Sequence, residues 1–248
     1  GRGLSTKVNV NLGTSTGKIN VQEEVRKARI AEEFGADTIS DLSMGGDINA
    51  IRKEIISCTT LPVTTVPVYQ AVVENGLKEM TADDILSTLE IQAEEGISSV
   101  VVHCVSRNML ARFRKQKRIL GMVSKGGSIT SAFMLLNNCE NPFVEQYDRV
   151  LSVCRKHDIV LSLGNTARSG CIHDRRDPFQ LAEIRQKVQS FRDADAAAGR
   201  GESLGRYDTL LSIIDWLTEY DQAAVIFSDE VPPLLNQAEA AQQAGDAA

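Results

Sequence analysis

The sequence is short of the residue types that most readily announce a function. It holds three histidines, one tryptophan and 5% aromatic residues in 248. Its five cysteines, Cys58, Cys104, Cys139, Cys154 and Cys171, are odd in number and 15 to 46 residues apart, so neither a C-x-x-C pair nor a disulfide framework can be drawn. They are expected to be reduced and mostly buried. The longest apolar runs, such as Val100 to Val102 and Ile159 to Leu163, fall far below the roughly 18 to 20 residues a transmembrane helix needs. No membrane partner is expected. The opening Gly1-Arg2-Gly3-Leu4-Ser5 lacks the charged, apolar and small-residue succession of a secretory signal, and a cytoplasmic location is the expectation. A net charge of −6 provides no global basic field for nucleic acid. One stretch runs against that balance: Arg107 to Lys125 carries seven cations and no acid, which suits a solvated helix face or a local site for an anion. Composition alone favours the solvated face.

What is present is an alternation of short β-rich runs with longer stretches of helical period, the pattern of βαβ units around a parallel sheet. Seven strands are predicted: Lys7 to Leu12, Asp37 to Leu42, Pro62 to Tyr69, Ser98 to His103, Leu120 to Ser124, Asp158 to Leu163 and Ala223 to Phe227. Val21 to Phe34 places Val25, Ala28, Ala31 and Phe34 on one helical face, with Gly35 where a helix end favours positive φ. Asp47 is placed to cap a helix carrying Ile48, Ile51, Ile55 and Ile56, and Thr81-Ala82-Asp83-Asp84 reads as a capping box. Pro142 to His157 and Tyr207 to Asp221 read as helices too. Arg192 to Ser203, small and polar, reads as an exposed insertion or loop, and the role of 187–206 stays open. The whole implies an α/β fold of the (β/α) TIM-like barrel type over 1–230, with an Ala/Gln-rich tail over 231–248. Seven strands rather than eight leave the barrel with one strand unrecognised, open or incomplete, or closed by a partner.

In parallel α/β folds the site gathers at the carboxyl ends of the strands. Those ends carry Asn9 and Asn11, Ser40 and Asp41, Tyr69 and Gln70, His103, Ser124-Lys125-Gly126-Gly127-Ser128, and Asn165 with Arg168. Ser124 to Ser128 opens a helix, and its backbone N–H groups together with the Lys125 ammonium suit a phosphate, although a plain βα turn has the same glycines. The phosphate is preferred because the cationic run and Arg168 can converge on one charge. His103 is either a ligand and proton-shuttling group or a satisfied core histidine. His157 reads as a helix-terminus partner, and His173 lies in a loop beside Asp174. Asp41 is either a general base or a turn cap, and Tyr69 either stacks on a heterocycle or closes the top of the fold. The catalytic candidates are therefore His103 and Asp41.

Taken in order, these residues resemble the phosphomethylpyrimidine synthases, also called thiamin pyrimidine synthases. The matching stretches are Val8-Asn9-Val10-Asn11-Leu12-Gly13, Gly35-Ala36-Asp37-Thr38 with Asp41-Leu42-Ser43, Thr65-Val66-Pro67-Val68-Tyr69-Gln70-Ala71, Gln92-Ala93-Glu94-Glu95-Gly96, Val102-His103, Val123-Ser124-Lys125-Gly126-Gly127-Ser128-Ile129 and Leu161-Ser162-Leu163-Gly164. The resemblance covers about Lys7 to Glu183 and, weakly, Leu217 to Ile226. It implies a barrel that converts aminoimidazole ribotide into hydroxymethylpyrimidine phosphate in thiamine biosynthesis, a carbon–carbon lyase reaction using S-adenosylmethionine, a [4Fe-4S] cluster and a divalent metal. The ligand-binding groups it implies are Asn11, Tyr69, His103, Ser124, Lys125, Gly126, Asn165 and Arg168.

The chain departs from that pattern at several points. Ser40 replaces a methionine, Lys125 an arginine, Asn165 an aspartate, and Phe227-Ser228-Asp229-Glu230 stands where a metal histidine is expected. A lysine serves a phosphate as a point charge without the bidentate fork. Three thiolates for a cluster cannot be drawn from the five scattered cysteines, so no cofactor and no metal site is expected of these residues alone. The expectation is a synthase-like protein that binds aminoimidazole ribotide or a related ribosyl phosphate. Its alternative is a non-catalytic binding or regulatory paralogue. The expected partners are a small phosphorylated ligand and either a second copy or a related chain.

Overall fold

The computed structural model describes residues 5–113, 118–174, 178–197 and 199–225. They form β1 (Asn9–Leu12), α1 (Val21–Glu33), β2 (Thr38–Asp41), α2 (Ile48–Cys58), β3 (Val63–Thr65), α3 (Pro67–Asn75), α4 (Ala82–Glu94), β4 (Ser99–Val102), α5 (Arg107–Phe113), α6 (Lys125–Leu136), α7 (Pro142–Glu145), α8 (Tyr147–Lys156), β5 (Val160–Leu163), α9 (Pro178–Ala197) and α10 (Gly201–Val225). The described residues divide into two compact units, one containing those through Phe113 together with Met122–Thr166, the other 118–121 and the described residues from Ala167 onward.

In the first unit the five strands form one parallel sheet in sequence order, β1 to β5. The two faces differ in chemistry because polar and apolar residues alternate along the strands, and successive side chains point to opposite faces. Leu12, Ile39 and Val63 pack against Ala28 and Ala31 of α1 and Ile51 and Ile55 of α2. The opposite face carries Asn9, Asn11, Thr38, Ser40, Thr64 and Ser99, paired across strands by register. There the Thr38 and Ser40 hydroxyls donate to Asn9 Oδ1 at 2.9 and 3.0 Å, and the Thr64 and Ser99 hydroxyls bond each other. Parallel strands are usually apolar on both faces, so this polar row sets the second face apart from the helix-covered one.

Three helices, α1, α2 and α4, start where the sequence predicts. Asn20 caps α1 by accepting from the Glu23 amide at 3.1 Å, and Asp47 caps α2 by accepting from Ala50 at 3.0 Å. Thr81 and Asp84 form the reciprocal capping box of α4.

Five expectations are corrected. The third strand ends at Thr65, because Pro67 occupies the first turn of α3, where its missing N–H costs nothing and its fixed φ suits a helix. Leu120 to Ser124 has no ladder partner and joins no sheet among the described residues. Pro142 to His157 is two helices, broken at Gln146, whose φ of −112° and ψ of 38° are not helical. Arg192 to Ser203 is not a loop: α9 runs to Ala197 and α10 begins at Gly201, with Gly199 at φ +70° in the turn between them. Alanine-rich sequence favours helix, and only the turn needs glycine. The last strand expected, Ala223 to Phe227, overlaps α10 through Val225, and its final two residues lie outside the described residues, as does the tail over 231–248. Five of the seven strands are thus seen.

The second unit is built on the α9–α10 hairpin. Its helices are antiparallel, with Arg185 on Asp215 at 2.7 Å and Arg192 on Asp208 at 2.6 Å. Such exposed pairs contribute at most about 1 kcal/mol each, so the unit rests on its buried side chains, Phe179, Leu181, Leu211 and Ile214 among them. Among the described residues, no helix is long and apolar enough to cross a membrane.

Candidate functional site

The centre of the site is His103, one residue past the end of β4 and 6% exposed. Val100 and Val102 are fully buried and anchor the strand that delivers it. Its imidazole Nε2 lies 3.0 Å from the Ser124 hydroxyl. That hydroxyl also caps α6 by accepting from the Gly127 amide at 3.2 Å. The hydroxyl and the ring share this hydrogen bond, and with Ser124 as the donor a neutral ring carries its proton on Nδ1.

Two glycines form the walls of the histidine slot. A Cβ on Gly126 would come within 2.4 Å of His103 Cε1, and one on Gly164 within 2.7 Å of Nε2. Neither residue has positive φ, so glycine is required there by the ring and not by the backbone. From below, the fully buried Asn141 donates its amide to the backbone carbonyls of His103 at 2.7 Å and Val105 at 2.8 Å. Its Oδ1 accepts from the Phe143 amide and caps α7. One side chain thus fixes the His103 backbone and starts a helix.

Lys125 is the first residue of α6 and is exposed, and its ammonium stands 5.5 Å from the centroid of the Tyr69 ring. This is cation–π distance, so α3 and α6 present a ring and a charge side by side. With the positive end of α6, this forms a surface suited to an anion. Asn165 follows Gly164, and its buried Oδ1 has no hydrogen-bond partner among the described residues. Asn11 lies at the end of β1, exposed, with Oδ1 accepting from Asn9 at 2.9 Å. Arg168 is exposed and belongs to the second unit.

Asp41 is separate from His103. By the alternation along β2 it points to the helix-covered face, whereas His103 continues the series Ser99 and Val101 on the other. Its Oδ1 accepts from the Ser43 amide at 3.0 Å and hydroxyl at 2.6 Å. Burial raises its pKa above the usual carboxylate range, against the hydrogen bonds from Ser43 and the charge of Arg52, which lower it. Asp41 and Tyr69 line one small cavity with Thr65, Gln70, Gln92 and Arg52. The structure therefore brings His103, Ser124, Lys125, Gly126 and Tyr69 into one site and joins no hydrogen bond from Asp41 to His103.

Sequence reasoning did not single out Asn141 or Gly164. Asn141-Pro142 carries the signal of a helix cap but not of its second task. Gly164 carries the signal of a glycine directly after a strand, the usual mark of close backbone approach. Among the described residues, no three His, Cys, Asp or Glu side chains are grouped to hold a metal ion, and the five cysteines lie on separate segments. Those residues do not fit an iron–sulfur cluster or a divalent metal.

The sequence profile of the radical SAM ThiC family matches residues 1–198. A phosphomethylpyrimidine synthase of Dehalococcoides mccartyi strain CBDB1 is 50% identical over 190 residues, covering 74% of this chain and 44% of that protein. A phosphomethylpyrimidine synthase of Syntrophus aciditrophicus strain SB is 45% identical over 190 residues, with the same coverage of 74% and 44%. A 5-hydroxybenzimidazole synthase of Desulfuromonas acetoxidans is also similar, at 45% identity over 191 residues, 74% of this chain and 44% of that protein. The chain spans less than half the length of these curated relatives.

Proposed function

The chain belongs to the radical SAM ThiC family, and from that membership we propose that it forms the ligand-binding part of a phosphomethylpyrimidine-synthase-like enzyme. Its ligand is aminoimidazole ribotide or a related ribosyl phosphate. The observation that carries the proposal is the pinned His103: its ring is slotted between Gly126 and Gly164, bonded to Ser124, and set beside the Lys125–Tyr69 pair.

Each residue then has a task its chemistry supports. Lys125 and the α6 N-terminus hold the phosphate, the helix through its partial positive charge and the lysine as a full one. Tyr69 offers an aromatic face to the base. His103 presents its Nδ1 hydrogen as a donor, with Ser124 fixing the tautomer. Asn165 supplies an acceptor and Asn11 an amide for the sugar hydroxyls. The overall reaction we assign is of the carbon–carbon lyase type, belonging to thiamine pyrimidine biosynthesis, and Asp41 supports the site from beneath. A second copy or a related chain is the partner we propose.

Titration calorimetry with aminoimidazole ribotide, with ribose 5-phosphate as comparison, tests the reading. Tighter binding of the ribotide supports a pocket that recognises both phosphate and base. Equal affinities would reduce the site to a phosphate cradle, and no binding of either would refute the assignment.

A further inference from the structure

Asp41, at the end of β2, is 5% exposed, yet only one of its carboxylate oxygens is used. Oδ1 accepts both bonds from Ser43, and Oδ2 accepts none among the described residues. Across the small cavity lies Arg52 of α2, which has no exposed surface. A guanidinium has five N–H donors. In Arg52, Nε and one Nη2 hydrogen go to Glu95, the other Nη2 hydrogen to Asn49 at 2.6 Å, and one Nη1 hydrogen to Gln70 at 2.8 Å. The fifth donor, on Nη1, has no acceptor among the described residues. An unused oxygen of a buried carboxylate and an unused donor of a buried guanidinium thus line the same cavity, which has room for about one water molecule. Buried polar groups in folded proteins are nearly always paired, with protein or with ordered water.

We propose that this cavity binds a single structural water bridging Arg52 Nη1 and Asp41 Oδ2, and that the bridged pair is a positioning device for Tyr69. A water suits both states of the carboxyl. It accepts from Arg52 and donates to an ionised Oδ2, or accepts from a protonated Oδ2 and donates to a lining oxygen such as Gln92 Oε1. The connection to Tyr69 runs through its neighbour. Gln70 Oε1 accepts from Arg52 and from Gln92 at 2.9 Å, and Gln70 Nε2 donates to Asn49 at 2.7 Å and Glu74 at 2.8 Å. The first turn of α3, which aims the Tyr69 ring at Lys125, is therefore held by the group the water completes. The role assigned to Tyr69 rests on the ligand reading above; the water does not.

A crystal structure of the wild-type chain that resolves other buried waters is expected to show one within hydrogen-bond distance of both atoms, and an empty cavity overturns the bridge. In calorimetry with aminoimidazole ribotide, Asp41→Asn, which keeps a polar group towards the water, is expected to bind within about twofold of wild type, and Asp41→Leu, which excludes it, about tenfold more weakly. Should Asp41→Leu fail to fold, Asp41→Ala removes the partner without filling the space and gives the same comparison. Affinity in the Leu or Ala variant equal to wild type overturns the positioning role. If wild type binds no ribotide while the water is present, the ligand reading has failed and the bridge stands. Near-UV circular dichroism of Asp41→Ala then decides the positioning role: a changed tyrosine signal supports it and an unchanged one overturns it.

Discussion

Replacing Gly164 by alanine tests the central geometry directly. The added Cβ would lie 2.7 Å from His103 Nε2, 2.9 Å from Cδ2 and 3.0 Å from Cε1, against an ordinary contact of about 3.5 to 4 Å. The overlap is about 1 Å with three ring atoms at once, and the ring cannot retreat because Gly126 lies against it as well. Overpacking of this kind costs about 1 to 3 kcal/mol, and loss of the Ser124–His103 hydrogen bond adds about 1 kcal/mol. Gly164→Ala is therefore expected to lose about 2 to 4 kcal/mol in urea unfolding. Since Gly164 does not have positive φ, none of this comes from backbone strain. A double-mutant cycle separates the steric cause from any other. In a His103→Ala background the clash is gone, so Gly164→Ala is expected to cost less than about 0.5 kcal/mol there. Equal costs in the two backgrounds, or an unchanged imidazole resonance in the single variant, would refute the slot.

Further expectations follow from the surrounding residues. Lys125→Ala should weaken a ribosyl phosphate by about 1.5 to 3 kcal/mol in calorimetry, the usual worth of a hydrogen bond to a charged group, and leave the unfolding midpoint in place because Lys125 is exposed. Asn141→Ala removes two bonds to buried carbonyls and the α7 cap together, and urea unfolding is expected to show a loss of about 2 to 4 kcal/mol. The raised pKa of Asp41 gives a pH dependence with a definite sign. Its contribution is fully present below the unfolded carboxylate pKa and is lost as pH rises through the higher folded value. Asp41→Asn should therefore gain stability relative to wild type as pH rises above the ordinary carboxylate range, and parallel curves for the two proteins would contradict the burial argument.

The elements that were legible in the sequence are those whose signal is local. The caps at Asp47 and Thr81 each place an oxygen where an adjacent helix amide needs it, and each is seen. The apolar series Ala28, Ala31, Ile51 and Ile55 found its sheet by periodicity alone. The failures lie where one signal masks another. In Pro62 to Tyr69 the β-branched residues continue past the point where Pro67 starts a helix, and in Arg192 to Ser203 two glycines and a run of alanines hide a helical hairpin with a short turn. In the site, residue types that carry chemistry were visible and those that hold them were not. Asn141 acts through carbonyls 36 and 38 residues away in sequence, and no local pattern encodes such a contact.

That division bears on how the proposed site would discriminate among ligands. Ser124, His103, Gly126, Gly127 and Asn141 are buried and fixed by one another, whereas Lys125 and Asn11 are exposed. A lysine on a flexible stem attracts a phosphate without dictating its orientation, since its ammonium lacks the planar fork of arginine. Orientation must come from the rigid groups, the amides of the first turn of α6 and the pinned Nδ1 of His103. A substitution at Lys125 should then lower affinity for all phosphorylated ligands alike, while one that loosens the His103 slot should reduce the difference between aminoimidazole ribotide and ribose 5-phosphate. Gly164→Ala and Lys125→Ala, compared on both ligands, separate attraction from recognition: if both variants weaken the two ligands by the same factor, the buried frame contributes stability only, and specificity resides elsewhere.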